Sequence, residues 1–302
     1  MFASDGDVLN ERIENMKIYV LSSQQCEDSS KNNGDCFVID NSKELVVYDC
    51  GCEYYANWVI DYMKKHNYSK TKVVLSHNDD DHFKGIPVLV DNNKTSEITT
   101  VLLLKYVDDI LDIIDDGRKN REALKEQIKD TYDNIEQLSG HNLKDAFEHI
   151  EIAEGIRISG PGKDYILNAA AKGLDTTEGD TIDSSTITNA TSIHLEVSIG
   201  DKKVLLTGDS SFESVKKEKL EEFRVIQLPH HGNAEIGEKI FEETKDDLEK
   251  QYIISDNTGN SNGGSDKLET KGYRVMNTKE KGMLTFDENQ ISQNRKTVGN
   301  LG

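Results

Sequence analysis

The chain of 302 residues predicts a mixed α/β fold, α+β in its opening, and three observations carry that prediction. Residues 17–21, 35–39 and 45–48 alternate or run apolar in strand fashion and are joined by turn-prone residues, so a β-meander opens the chain. The order strand, polar metal-type residues, helix, strand then occurs twice, once around residues 72–104 and again around 203–228. Between these two halves, residues 106 to about 150 show helical spacing and predict a helical insertion in one domain that spans residues 1–289.

The elements follow in order. Asp40-Asn41-Ser42 supplies the turn between the second and third strands. Tyr55, Trp58, Val59, Tyr62 and Met63 recur at helical spacing within residues 54–65, and the next strand is expected at 72–75. A short helix starts at Gly85-Ile86-Pro87, and a strand is expected at 99–104. In the insertion, Leu124, Ile128, Tyr132, Ile135 and Leu138 form one apolar stripe, and Leu143, Phe147 and Ile150 suggest another, with Gly117 and Gly140 as boundaries. Strands resume at 156–158, a loop is expected at 172–185, and strands follow at 193–199 and 203–206. A helix is expected around 212–220, then strands at 224–228, 252–255, 273–276 and 283–286. Residues 290–302 are expected to be a mobile tail.

Composition excludes several classes. The formal net charge of −20 repels nucleic acid phosphates at long range and weighs against a free-standing grip on long duplex DNA. The first sixteen residues carry Asp5, Asp7, Glu11 and Glu14 and lack the apolar core of a secretory signal. No later stretch has the length and apolarity of a membrane span, so a cytoplasmic setting without membrane contact is expected. The four cysteines, Cys26, Cys36, Cys50 and Cys52, lack paired CxxC spacing, which indicates neither a zinc knuckle nor a disulfide framework. Cys50 and Cys52 flank Gly51 near the candidate site and are read as packing residues.

The chemistry concentrates where strands end. Ser76-His77-Asn78-Asp79-Asp80-Asp81-His82 directly follows Val73-Val74-Leu75; Thr207-Gly208-Asp209 follows Leu205-Leu206; and Pro229-His230-His231-Gly232 follows the strand ending at Leu228. Each alone is an ordinary polar loop; together, in this order, they read as one metal site. His77 and Asp79 can converge on one ion while Asp81 and His82 turn toward a second. Two carboxylates about 5 Å apart repel by roughly 3 kcal/mol at an effective dielectric near 20, a penalty that cations remove. Of the neighbouring histidines, His230 follows Pro229, where the backbone is fixed, so His230 is expected to be the ligand. His231 is expected to be a proton donor. His141 and His149 are two further histidines that a lid-like insertion could bring to the site, although a packed insertion with both on the surface is the simpler expectation.

These motifs resemble the metallo-β-lactamase superfamily, specifically the branch typified by the soluble domain of ComEC-type DNA-uptake channels. The resemblance covers residues 17–286 apart from the insertion. Asn33-Gly34-Asp35-Cys36-Phe37 is similar to that branch's opening strand, and Val46-Val47-Tyr48-Asp49-Cys50-Gly51 to its strand ending in Asp-x-Gly. The central stretch resembles a His-x-Asp-x-Asp-His variant in which Asp79 stands in place of the usual second histidine. Asn189-Ala190-Thr191-Ser192 stands where lactamases carry a third histidine, and Asn262-Gly263-Gly264-Ser265 where the family's last loop often has Gly-His-Pro.

The resemblance implies a four-layer αββα sandwich with the site at one edge of two sheets. It implies that His77 and Asp79 hold one ion, that Asp81, His82 and His230 hold the other, and that Asp209 bridges them with Asn189 nearby. Asp49 would be a supporting residue, and Asp81, Asp209 and His231 would carry the catalysis. The expected cofactors are two divalent ions; the carboxylate-rich set lets manganese or magnesium compete with zinc.

The expected function is a metal-dependent hydrolase, first of all a phosphodiesterase or nuclease that uses a metal-activated water. Its substrate would be a phosphate ester such as a nucleotide or a single-stranded nucleic acid. Alternatives are hydrolysis of a lactone, thioester or amide, or a non-catalytic binding module whose insertion docks a protein partner.

Overall fold

The computed structural model describes residues 16–26, 30–114, 119–175, 181–182, 185–259 and 264–292. Its strands form two seven-stranded sheets and a two-stranded ribbon. The first sheet contains β1 (Lys17–Val20), β2 (Phe37–Asp40), β3 (Leu45–Tyr48), β4 (Thr71–Val74), β5 (Thr95–Thr100) and β6 (Leu143–Asp145). The second contains, outward from its far edge, β7 (Glu151–Ala153), β8 (Ile156–Gly160), β11 (His194–Ile199), β12 (Lys202–Leu206), β13 (Val225–Gln227), β14 (Gln251–Ile254) and β15 (Arg274–Asn277). β9 (Thr181–Ile182) and β10 (Ser185–Thr186) make the ribbon, and β16 (Leu284–Phe286) returns to close the first sheet beside β1.

Side-chain alternation sets the layers, because successive residues of a strand face opposite sides. In β3, Val46 and Tyr48 enter the cluster between the sheets, whereas Leu45 and Val47 pack under α1 (Glu53–His66). In β12, Val204 and Leu206 face inward, while Leu205 packs outward with Ile236 and Ile240 of the helix Ala234–Thr244. The result is helix, sheet, sheet, helix. From β3 to β6 and from β12 to β15 the strands are parallel, which requires crossovers and leaves the loops after them at one edge.

Several elements differ from expectation. The strand expected at 99–104 runs as Thr95–Thr100, and Leu103–Tyr106 forms a 3₁₀ turn instead. The insertion is only partly helical. Its α4 (Val107–Ile114), α5 (Arg121–Thr131) and α6 (Asp133–Gln137) follow the short α2 (Asp80–Phe83) and α3 (Ile86–Asp91). Residues 143–150 are not a helix: Leu143 pairs with Ile98 as the edge strand of the first sheet, and Phe147 packs in a turn with its ring 5.5 Å from Tyr106. Residues spaced i, i+4 and i+7 mimic a helix, but an open parallel edge offered Leu143 a full ladder.

Of the loop expected at 172–185, residues 172–175 belong to α7 (Lys163–Asp175), which buries Ile166, Leu167, Ala170, Ala171 and Leu174, residues 181–182 and 185 belong to the ribbon, and 176–180 and 183–184 lie outside the described residues. Of the tail expected from residue 290, residues 290–292 belong to the short helix Glu288–Ser292, in which Ile291 is buried. Residues 1–15, Gly117, Asn262, Gly263 and 293–302 lie outside the described residues. All four cysteines are unpaired. No helix among the described residues is long and apolar enough to cross a membrane.

Candidate metal centre

The strand ends bring the predicted residues to one edge of the sandwich. β4 leads through Leu75 into His77 and the start of α2, β12 leads to Asp209, and β13 leads to His231. Two hydrogen bonds tie the sheets together behind them: Ser76 O accepts from Ile193 N at 3.0 Å, and Tyr48 OH donates to Ile193 O at 2.7 Å. Two glycines let the loops close. A Cβ on Gly34, whose φ is +61°, would lie 1.5 Å from the Asp81 carbonyl oxygen, and one on Gly51 would lie 2.0 Å from the same atom. Neither position accepts a side chain while Asp81 stays in place.

Three imidazoles face the centre through Nε2, and their outer nitrogens explain why. His82 Nδ1 donates to Asp49 Oδ2 at 2.8 Å. That oxygen also takes the Ser76 hydroxyl proton at 2.7 Å, so Ser76 Oγ can only accept from His77 Nδ1, 2.9 Å away. His231 Nδ1 faces two acceptors, Ser255 O at 3.0 Å and Asp35 Oδ1 at 3.1 Å. All three rings therefore carry hydrogen on Nδ1 and present Nε2 inward. A carboxylate or carbonyl behind His82 and His231, and behind His77 a serine hydroxyl itself bonded to a carboxylate, is the kind of support that orients metal-binding histidines.

The inner atoms lack partners of their own. His77 Nε2, His82 Nε2 and Asp209 Oδ1 are buried without a hydrogen bond. His82 Nε2 lies 3.3 Å from Asp209 Oδ1 without hydrogen-bond alignment, and His231 Nε2 lies 3.2 Å from Asp81 Oδ2 and 3.8 Å from Asp209 Oδ2. His77, His82 and Asp209 each offer a ligand atom within 4.8 Å of the others, as do Asp81, His82 and His231. Asp35, Asp209 and His231 form a third such group, but Asp35 already accepts from His231 through one oxygen and from Gln227 Nε2 at 2.9 Å through the other. Asp35 is thus a support behind His231. Orphaned buried acceptors of both nitrogen and oxygen type, facing one another, fit divalent cations and would repel in their absence.

Protons compete for the same place. Burial works against charging His82 and His231, yet Asp209 next to both, with Asp49 beside one and Asp35 beside the other, holds each imidazole well above its ordinary pKa. Burial likewise opposes ionising Asp209, but His231 and His82 keep its carboxyl well below the ordinary range, and Asp81 is held low against burial by His231 and His82. The cluster attracts positive charge in whatever form is available.

Placement of the remaining candidates is mixed. Asp79 lies at the rim, with Oδ2 3.6 Å from His77 Nε2. Asn189 Nδ2 is 3.4 Å from Asp209 Oδ2. Both adjacent histidines lie near Asp209, and His230 Nδ1 is a further buried ring nitrogen without a hydrogen-bond partner. His231 is 4 % exposed at the centre, whereas His230 is 33 % exposed at the mouth, its Nε2 3.9 Å from Asp209 Oδ2. The physical reason is the backbone: His230 and His231 both adopt left-handed φ, 53° and 54°, so the turn swings the second ring inward. His141 is exposed and His149 pairs with Glu97 at 3.1 Å; neither joins the site. Sequence alone assigns no role to Ser76, although it is the first polar residue after an apolar strand, and shows Asp35 only as part of a strand motif.

Fold and site together define a class: a two-sheet hydrolase fold with a histidine and aspartate centre at the strand ends. The chain belongs to the metallo-beta-lactamase superfamily, whose family model matches residues 30–248. Among solved structures it is similar to the metallo-beta-lactamase fold protein YhfI from Bacillus subtilis, at 14% identity over 70% of each chain with a TM-score of 0.40. It is also similar to the hydrolase AbOPH in the beta lactamase superfamily, at 12% identity over 58% of this chain and 55% of that one, with a TM-score of 0.29. No curated protein matches.

Proposed function

We propose that the chain is a metal-dependent phosphodiesterase or nuclease of the ComEC-like branch, acting on a nucleotide or a single-stranded nucleic acid. The observation that carries the proposal is the donor set. Asp79, Asp81 and Asp209 stand with His77, His82 and His231, and the neutral amide of Asn189, not a further histidine, lies beside Asp209. Carboxylate-rich sites suit hard ions and the phosphate oxygens those ions bind.

His77 and Asp79 would hold one ion, Asp81, His82 and His231 the other, and Asp209 would reach both. When bound, paired divalent ions polarise a phosphoryl oxygen and make a water acidic enough to attack at neutral pH. The protein's own part is to keep three Nε2 lone pairs free by fixing hydrogen on each Nδ1 through Asp49, Ser76, Asp35 and Ser255. His230, partly exposed near Asp209, would give a proton to a departing alkoxide, a role worth about 10²–10⁴-fold.

The test is metal analysis of the purified protein, followed by turnover of an aryl phosphodiester, a short single-stranded oligonucleotide, a lactone and a thioester. Phosphodiester cleavage that EDTA abolishes and Mn²⁺ restores is expected. Turnover confined to the lactone or thioester would overturn the substrate class, and loaded protein inactive on all four would favour a binding module.

A further inference from the structure

The insertion grips the residue between two of the candidate ligands. Asn78, flanked by His77 and Asp79, is 6 % exposed, and Asn134 of α6 is 7 % exposed. Asn134 Nδ2 donates to Asn78 O at 2.6 Å and to Asp80 Oδ1 at 3.2 Å. In return Asn78 Oδ1 accepts the Ile135 backbone N–H at 3.0 Å, and Asn78 Nδ2 reaches Thr131 O at 3.3 Å and Asp133 Oδ1 at 3.4 Å. The amide orientations are determined by chemistry: a backbone N–H must face an oxygen, and a carbonyl together with a carboxylate must face an NH₂.

We propose that Asn134 and the α5–α6 turn are positioning elements of the metal centre, setting the path of residues 77–80 and hence the direction of the His77 and Asp79 side chains. The His77 ring is held from one side by Ser76, whereas among the described residues no hydrogen bond is seen to the Asp79 carboxylate, and its neighbours Asn78 and Asp80 are both bonded to Asn134. The insertion is on this account half of the mount for one ion. This rests on the assignment of His77 and Asp79 as ligands.

Amide hydrogen exchange on the unvaried chain, with and without Mn²⁺, tests the coupling. Loading is expected to slow exchange across residues 77–82 and 131–137 together. Two variants test the residue. N134D keeps the shape but sets a carboxylate against the Asn78 carbonyl and Asp80, and N134A removes the donor. Each is expected to weaken the more loosely held ion tenfold or more, since supports behind ligands typically contribute 10–100-fold. Each is also expected to alter the visible bands of the Co²⁺-loaded protein. Protection confined to 77–82, or unchanged affinity and Co²⁺ spectrum in a folded variant, would overturn the clamp alone. Failure of the unvaried chain to take up metal would instead overturn the metal centre on which the clamp rests.

Discussion

Asp49 Oδ2 accepts the His82 Nδ1 hydrogen at 2.8 Å while its other oxygen accepts the Ser76 backbone N–H at 2.7 Å, so one fully buried carboxylate orients both the ring and the loop that carries it. Through the Ser76 hydroxyl it also decides which nitrogen of His77 is free. Asp49→Asn keeps the size but replaces one acceptor by an NH₂ that faces donors. Metal affinity is expected to drop about 10–100-fold. Dialysis against a chelator series followed by metal analysis checks it, and a variant that retains metal like the parent would remove Asp49 from the support.

The adjacent histidines separate cleanly by position. His231→Ala should lower metal occupancy, since its Nε2 faces Asp81 and Asp209, whereas His230→Ala should keep metal and slow turnover most on substrates with poor leaving groups. His230→Gly should be about 1 kcal/mol more stable than His230→Ala, because φ of 53° strains any residue with a Cβ. Metal content and melting curves of the three variants decide; metal loss in the His230 variants alone would restore the opposite assignment.

Metal removal should cost most at alkaline pH. In the metal-free protein His82 and His231 have folded pKa values raised above the ordinary value near 6.5. Their contribution to stability is therefore complete below about pH 6.5 and is lost as pH rises through the folded values. Asp209 and Asp81 are shifted the other way, so their contribution is present above about pH 3.8 and is lost on acidification. The gap in melting temperature between loaded and EDTA-treated protein should widen from pH 6.5 upward. A gap that stays constant or narrows over that range contradicts the assigned charges.

Gly34→Ala should be disabling. The added carbon would sit 1.5 Å from the Asp81 carbonyl oxygen at a left-handed backbone position, so Asp81 must move or the loop must open. A loss of more than about 3 kcal/mol, or a folded protein without metal, is expected, and denaturant unfolding with metal analysis distinguishes these. Gly140→Ala, with nothing within 4 Å of its added carbon, is the control expected to cost about 1 kcal/mol for its φ of 95° alone.

Much of the sandwich and the location of its centre follow from sequence alone, because the apolar strands β4, β12 and β13, of three to five residues and each followed within a few positions by histidine or aspartate, leave few places for the polar groups except the strand ends. Alternation along β3 and β12 likewise determines two faces without any knowledge of their neighbours. What periodicity could not decide was settled by contacts between distant segments. Leu143, Phe147 and Ile150 have helical spacing, and only the open edge beside Ile98 makes the first of them a strand residue. Which of His230 and His231 is the more buried follows from two consecutive left-handed dihedrals where the chain turns from β13 into the following helix, with Asp35 and Ser255 as acceptors for the second imidazole. Asn134 lies fifty-six residues from Asn78 in the chain, and no local pattern in either segment encodes that the two amides meet; burial of Leu124, Ile128 and Tyr132 in the apolar cluster between the sheets brings them together.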